Sequence, residues 1–305
     1  MSLAYLGPQG TFSESAAIAV ANGQSLYPYP TVDQALDAVR RDRVKSAVVP
    51  IENSVEGSVS ATLDSLATGE PLVITQEVVL PVRFALLGRS QIQLDEIRQV
   101  STHPHAHAQC REWLAKHLPA ANILPATSTA EAAALLAAGE GRIDAVIASG
   151  RAAEIHGLRV LVDDIGDNRE ATTRFISVAK PGKINPPTGA DKTSLVLYMK
   201  ENHPGALLEI LTEFAVRGVD LSRIESRPTK KSMGDYVFSV DLIGHVNEAR
   251  VGEALMGLHR VCADVRFLGS YPRHDKVATI TRPGTTDAEH QEAEDWLDRI
   301  RTGDY

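Results

Sequence analysis

Leu3-Ala4-Tyr5-Leu6-Gly7-Pro8-Gln9-Gly10-Thr11-Phe12-Ser13-Glu14 packs a strand, a tight turn and a helix start into one short stretch. The apolar run from Leu3 to Leu6 stops at glycine and proline, as a buried strand does. Thr11 and Glu14 have capping-box spacing: the threonine hydroxyl accepts from an early helix amide, and the glutamate reaches back to an amide before it. Glycines bring the backbone close, so the start of the helix can meet an anion. A plain structural cap with no ligand is the alternative reading of this stretch, and the one the motif alone favours.

The pattern repeats along the first 180 residues. Residues 46–51, 73–80, 84–87, 100–102 and 145–148 read as buried strands. Residues 11–21, 31–41, 58–68, 105–117 and 128–138 read as helices. Alternation of this kind predicts α/β layers with sheets covered on both faces. In Val49-Pro50-Ile51-Glu52-Asn53-Ser54-Val55-Glu56-Gly57-Ser58 a polar knot follows a strand. Polar groups at the carboxyl end of such a strand face the crevice where ligands bind. Thr102-His103-Pro104 with Gln109-Cys110 makes a similar junction, and Ser128-Thr129-Ala130-Glu131 supplies another capping box. His103, His105 and His107 alternate across a proline and a helix start, which presents no single coordinating face, so no metal site is expected.

Pro181-Gly182-Lys183-Ile184-Asn185-Pro186-Pro187-Thr188-Gly189 has no apolar period and reads as a linker, spanning 181–192. Beyond it come strand 193–199, helix 205–217, strands 221–226 and 236–242, helix 247–261 and strand 265–270. That βαββαβ order is ferredoxin-like. An acidic tail, 273–305, holds one helical candidate at 287–300, with Trp296, Leu297 and Ile300; the sequence leaves open whether it docks on a partner surface or stays mobile.

At 305 residues there is chain enough for two or three cores, with apolar residues at 43% and charged ones at 23%. A formal charge of −8 gives no general attraction to nucleic acid or to an anionic membrane, so neither partner is expected. Cys110 and Cys262 make neither a disulfide framework nor a metal set and read as buried hydrophobes. No apolar run approaches the roughly 18 to 20 residues of a membrane span. The N-terminus shows no signal-peptide pattern. A cytoplasmic protein is expected.

Taken together, Gly7-Pro8-Gln9-Gly10-Thr11-Phe12-Ser13, the knot from Pro50 to Gly57, His103-Pro104 with Gln109-Cys110, and Thr173-Arg174-Phe175 resemble the prephenate dehydratase family. Asn202-His203-Pro204-Gly205-Ala206-Leu207-Leu208 and Glu225-Ser226-Arg227-Pro228 resemble its phenylalanine-binding ACT domain. The likeness runs in the expected order over roughly residues 3–271, without a chorismate mutase segment, and so implies the monofunctional form. It implies a two-lobed α/β catalytic domain, like a type II periplasmic-binding protein, over 1–180, and a ferredoxin-like βαββαβ ACT domain over 193–272. The lobes would be 1–75 with 155–180, and 76–150.

The resemblance also implies an activity: loss of water and carbon dioxide from prephenate to give phenylpyruvate, without a cofactor. Thr173 would donate to the leaving oxygen, with Arg174 pairing a carboxylate or holding the cleft and Phe175 packing beneath. Thr11, Glu52, Asn53, Ser54, Thr102 and Gln109 would line the substrate site, with Glu52 orienting its neighbours. Asn202, Gly205, Ala206, Leu207, Leu208, Glu225, Ser226, Arg227 and Pro228 would hold L-phenylalanine between neighbouring subunits of a homodimer or homotetramer. Two positions depart from the family pattern: Ala171 stands where Asn is common, and His105 where Gln is common. Strand alternation would turn Thr172 away from the face of Thr173. Arogenate dehydratase, acting on the amino analogue, and a non-catalytic amino-acid sensor are the alternatives.

Overall fold

The computed structural model describes residues 2–228 and 236–304. The chain forms two compact units, Met1–Ser65 with Val78–Ser177, and Leu66–Glu77 with Val178–Tyr305.

The elements of the first region are β1 (Ser2–Leu6), α1 (Phe12–Val20), β2 (Ser25–Tyr29), α2 (Val32–Arg40), β3 (Ser46–Asn53), β4 (Gly57–Ser58), α3 (Ser60–Ala67) and β5 (Val73–Pro81). There follow β6 (Ala85–Gly88), a 3-10 turn (Leu94–Glu96), β7 (Gln99–Thr102), α4 (Pro104–Gln109), α5 (Arg111–His117), β8 (Asn122–Pro125), α6 (Thr129–Ala138) and β9 (Ala145–Ala148). Then come α7 (Gly150–His156), β10 (Arg159–Val162) and β11 (Thr172–Ala179). One sheet has the order β2-β1-β3-β11-β5, with β4 on β3, and the other has β10-β6-β9-β7-β8. Each sheet forms a lobe, with boundaries that differ from the expected ones. β10 pairs antiparallel with β6, so residues 159–162 lie in the second lobe, while β5 lies in the first sheet to its end at Pro81. Only β11 returns the chain to the first sheet, because hydrogen-bonded pairing, which the apolar pattern does not encode, decides the sheet.

Period-two burial builds the second lobe. In β6, Leu86 joins a core with Phe84, Val100, Cys110, Leu114 and Ile147, while Ala85 and Leu87 join the opposite core with Ala133, Leu136 and Val146. Leu3, Tyr5, Ala16, Ala17, Val48 and Phe175 pack α1 onto the first sheet.

The second unit holds β12 (Asp191–Met199), α8 (Ala206–Ala215), β13 (Leu221–Pro228), β14 (Tyr236–Ile243), α9 (Ala249–Val261), β15 (Cys262–Pro272) and α10 (Asp287–Thr302). Its antiparallel sheet, β13-β14-β12-β15, has the ferredoxin-like arrangement the element order predicts. Leu195, Leu197, Phe238, Val240 and Leu242 face α8 and α9, against Ile210, Phe214 and Leu258. The opposite face carries a polar network: the Ser194 hydroxyl donates to Asp241 at 2.6 Å, and the Arg223 guanidinium donates to Asp241 at 2.9 Å and Ser239 at 2.8 Å. Leu66–Glu77 packs here too, with Lys192 paired to Glu77 at 3.0 Å, the Tyr198 hydroxyl donating to the Ala67 carbonyl, and Arg266 donating to the Leu66 and Gly69 carbonyls. The start of the tail packs on α9 of its own unit: Asp287 accepts from the Ala249 amide at 2.8 Å, and His290 lies 3.6 Å from Glu253. Trp296 remains 56% exposed. Among the described residues no helix is long and apolar enough to cross a membrane.

Candidate active site

A cleft of about 400 Å³ opens among the residues after β1, β3 and β7 and at the start of α6; Thr11, Asn53, Gln109, Ser128, Thr173 and Phe175 are among its walls. Helix starts built by local chemistry frame it. Thr11 caps α1 by accepting from the Glu14 amide at 3.3 Å. Glu14 itself reaches one residue further back than a standard capping box, accepting from the Gly10 amide at 2.8 Å. Gly10 sits at φ +86, where a Cβ would meet Ala152 of α7 at 3.3 Å. The Ser149 hydroxyl donates to the Gly10 carbonyl at 2.7 Å, so this turn is stitched to the second lobe. The Thr11 hydroxyl lies 3.0 Å from the Pro8 carbonyl, to which it donates, and can turn to a ligand only by leaving it.

Asn53 is the centre of the geometry. Its Oδ1 accepts from the amides of Val55 and Glu56 at 2.8 and 3.1 Å, which fixes the side chain and aims Nδ2 at Thr173 Oγ1, 2.8 Å away. Thr173 therefore accepts from Asn53, and its own hydroxyl proton can be directed into the cleft. Thr173 and Phe175 share the cleft face of β11. Arg174, on the other face, is 8% exposed and lies 3.6 Å from the Glu52 carboxylate. Arg174 and Glu52 are outside the cleft lining; strand alternation turns Arg174 away from the face of Thr173.

Two other expected residues are also placed elsewhere. Thr102 is fully buried, its hydroxyl donating to the Ile147 carbonyl at 2.8 Å across the β7–β9 pair. Ser54 binds β11: its amide donates to the Thr172 carbonyl and its hydroxyl accepts from the Thr172 amide, both at 2.9 Å. Both looked like ligand donors because a junction's polar residues read the same whether they serve a neighbouring strand or a ligand.

Glu56 and the two histidines are lining residues that the sequence reading left out of the site. Gln109 donates to Glu56 Oε1 at 3.0 Å, and His105 Nδ1 meets Oε2 at 2.7 Å. The His103 ring packs edge-on against His105 at 4.8 Å, and burial pushes the His103 pKa below the ordinary histidine value. The available signal was a carboxylate inside the polar knot, just ahead of Gly57. Among the described residues no three His, Cys, Asp or Glu side chains gather as metal ligands would.

In the second unit, Asn202, Gly205, Ala206, Leu207, Leu208 and Ser226 line a pocket of about 450 Å³ at the start of α8. Met199, His203, Leu211, Tyr236 and Phe238 complete it, again outside the sequence reading. Ser226 faces the pocket because it pairs with Phe238 on the helix-covered side of the sheet. Glu225 pairs with Ser239 and Arg227 with Val237, on the opposite face. Neither they nor Pro228 line the pocket.

Comparison with known proteins is consistent along the whole chain. Residues 3–183 match the family model described as prephenate dehydratase, and residues 193–260 match the ACT domain. A prephenate dehydratase of Amycolatopsis methanolica is 47% identical over 304 residues, covering 99% of this chain and 98% of the relative. The crystal structure of prephenate dehydratase in complex with L-Phe from Arthrobacter aurescens matches with a TM-score of 0.95 and 48% identity, covering 99% and 100% of the two chains. GqqA, described as a novel type of quorum quenching acylase, matches with a TM-score of 0.80 and 30% identity, covering 89% of this chain and 98% of its own.

Proposed function

The chain belongs to the prephenate dehydratase family, and from that premise we propose that it converts prephenate to phenylpyruvate, water and carbon dioxide under control by L-phenylalanine at its ACT domain. The observation that carries the reading is the 2.8 Å contact in which Asn53 donates to Thr173. As the ring carboxylate leaves as carbon dioxide, its bonding pair enters the ring. The ring C–O bond breaks, and the departing hydroxide takes one proton to become water. Aromatisation drives the step, so the protein's work is to orient the substrate and supply a donor to the leaving oxygen. Thr173 suits that task because its acceptor side is occupied and its proton is directed. Being a weak acid, it acts by hydrogen bonding and draws the proton through a relay. Neutral donors along the cleft, with the starts of α1 and α6, hold the substrate carboxylates.

The same contact argues against Thr173 as an acyl-accepting nucleophile. An acyl-accepting hydroxyl needs an adjacent base to take its proton, whereas Asn53 offers Thr173 a donor. For regulation, the pocket at Gly205 combines an apolar wall with Asn202 and Ser226, which suits an amino acid with an aromatic side chain. Closure by a neighbouring subunit in a homodimer or homotetramer completes the reading. The test is phenylpyruvate formation from prephenate near neutral pH, without added metal, with and without L-phenylalanine, against a no-enzyme control. Turnover suppressed by L-phenylalanine is expected. A folded protein that leaves prephenate untouched would overturn the reading.

A further inference from the structure

We propose that His105 and Gln109 tune this cleft toward an α-keto acid over its α-amino analogue by occupying the carboxylate of Glu56, an inference that rests on the reading above. Prephenate and arogenate carry the same two carboxylates and ring hydroxyl. They differ at one carbon, a ketone in the first and an ammonium in the second. A bare carboxylate in the cleft wall would attract the ammonium and repel the keto dianion, so the state of any lining carboxylate bears directly on the choice.

The cleft lining includes no lysine or arginine, and Glu56 is its one carboxylate among the described residues. Both Glu56 oxygens are engaged from α4: Oε1 accepts from Gln109 Nε2 at 3.0 Å, and Oε2 faces His105 Nδ1 at 2.7 Å. Nδ1 must carry a proton to make that contact, whether the ring is neutral or charged. His103 caps α4, accepting from the His105 amide at 3.2 Å, and its ring buttresses the His105 ring. The Glu56 amide is held by Asn53, the residue that also orients Thr173, so the masked carboxylate and the donor hydroxyl share one anchor. Arg174 and Glu52 form their ion pair off the lining and leave this balance to Glu56 and its partners. His105 and Gln109 thus act as specificity-determining residues through Glu56.

The experiment is steady-state kinetics of the full-length protein on prephenate and on arogenate, for wild type, His105→Ala, Glu56→Gln and the double variant. His105→Ala is expected to raise KM for prephenate more than it lowers kcat, and to shift the kcat/KM ratio toward arogenate by roughly fivefold, as for a partly exposed charge pair. The shift should shrink in about 0.5 M salt, where exposed charges are screened. Adding Glu56→Gln should abolish the shift, since no carboxylate is left to uncover. A ratio unmoved by His105→Ala, or moved equally without the Glu56 carboxylate, would overturn the inference while wild-type turnover of prephenate keeps the reading beneath it. Wild type inert toward both substrates would overturn both. Should His105→Ala not fold, Gln109→Ala uncovers the same carboxylate and carries the same expectation.

Discussion

Replacing Asn53 by aspartate reverses a hydrogen bond without removing it. The new carboxylate would still accept from the Val55 and Glu56 amides, as Asn53 does at 2.8 and 3.1 Å. Where Nδ2 now donates to Thr173 at 2.8 Å, the variant would present a second carboxylate oxygen, to which Thr173 would donate its proton. The hydroxyl would then point away from the leaving oxygen. Loss of a positioned donor costs on the order of 10²- to 10⁴-fold in rate, about 3–5 kcal/mol in the barrier. Stability should barely change, with the melting temperature within about 2 °C of wild type. Asn53→Ala is the control: it forfeits both amide contacts, about 1–2 kcal/mol, and should lower the melting temperature by about 3–6 °C. Phenylpyruvate formation and thermal unfolding, measured on both variants, separate the two effects. Asn53→Asp turning over within about threefold of wild type would refute the directed-donor argument.

Other expectations follow from the same contacts. Tyr5 is fully buried near Glu14, and burial with that carboxylate pushes its phenol up to about 12. The folded value exceeds the unfolded one of about 10, so the stability it contributes, roughly 2–3 kcal/mol, is complete below pH 10 and lost as pH rises toward 12. Ultraviolet titration should show late tyrosinate absorbance that Tyr5→Phe lowers by one tyrosine, the remainder coming from Tyr198, which burial also raises; an unchanged amplitude would count against this account. Cys110 and Cys262 are buried, with thiols pushed up to about 12 and about 11 mainly by burial. A disulfide reagent at neutral pH should therefore label neither in the folded protein and both in guanidinium. Gly205 sits at φ +94 at the start of α8, with open space where a Cβ would go. Gly205→Ala should cost about 1 kcal/mol through backbone strain and weaken the response to L-phenylalanine several-fold at unchanged kcat without effector. An unaltered inhibition curve would count against the pocket.

Features set by short-range chemistry were legible in the sequence. The strand–turn–helix at Leu3, the caps at Thr11 and Ser128 and the βαββαβ order need only local patterns. Strand alternation puts Thr172 and Thr173 on opposite faces, and the likeness of Thr173-Arg174-Phe175 to the family motif picks the one that lines the cleft. Edge strands were missed: β2 contains Pro28 and β8 is half exposed, so neither shows an apolar run or a clean alternation. The position of β10 was misjudged because a strand's apolar residues do not state which neighbour accepts its hydrogen bonds. Thr102 and Ser54 lie outside the cleft lining, and Glu56 was overlooked, for a common reason. Each is defined by a segment far along the chain: Ile147, Thr172, and the pair His105 and Gln109.

The division of the chain has a bearing on how such proteins are inherited and rebuilt. Leu66–Glu77 lies between catalytic segments in sequence yet belongs to the compact unit that contains the ACT domain. Its Glu77 is nearly buried against Lys192 of β12, and Gly269 of β15 lies so close to Ile74 that a Cβ there would fall 2.4 Å from its carbonyl oxygen. The regulatory module is therefore no detachable cassette. A gene cut after residue 190 would leave Glu77 and Ile74 without the strands they pack on, and an ACT domain grafted from elsewhere would need its own version of the 66–77 ribbon. Recombination between relatives would be tolerated only where ribbon and strands travel together, so the two activities are expected to share one lineage.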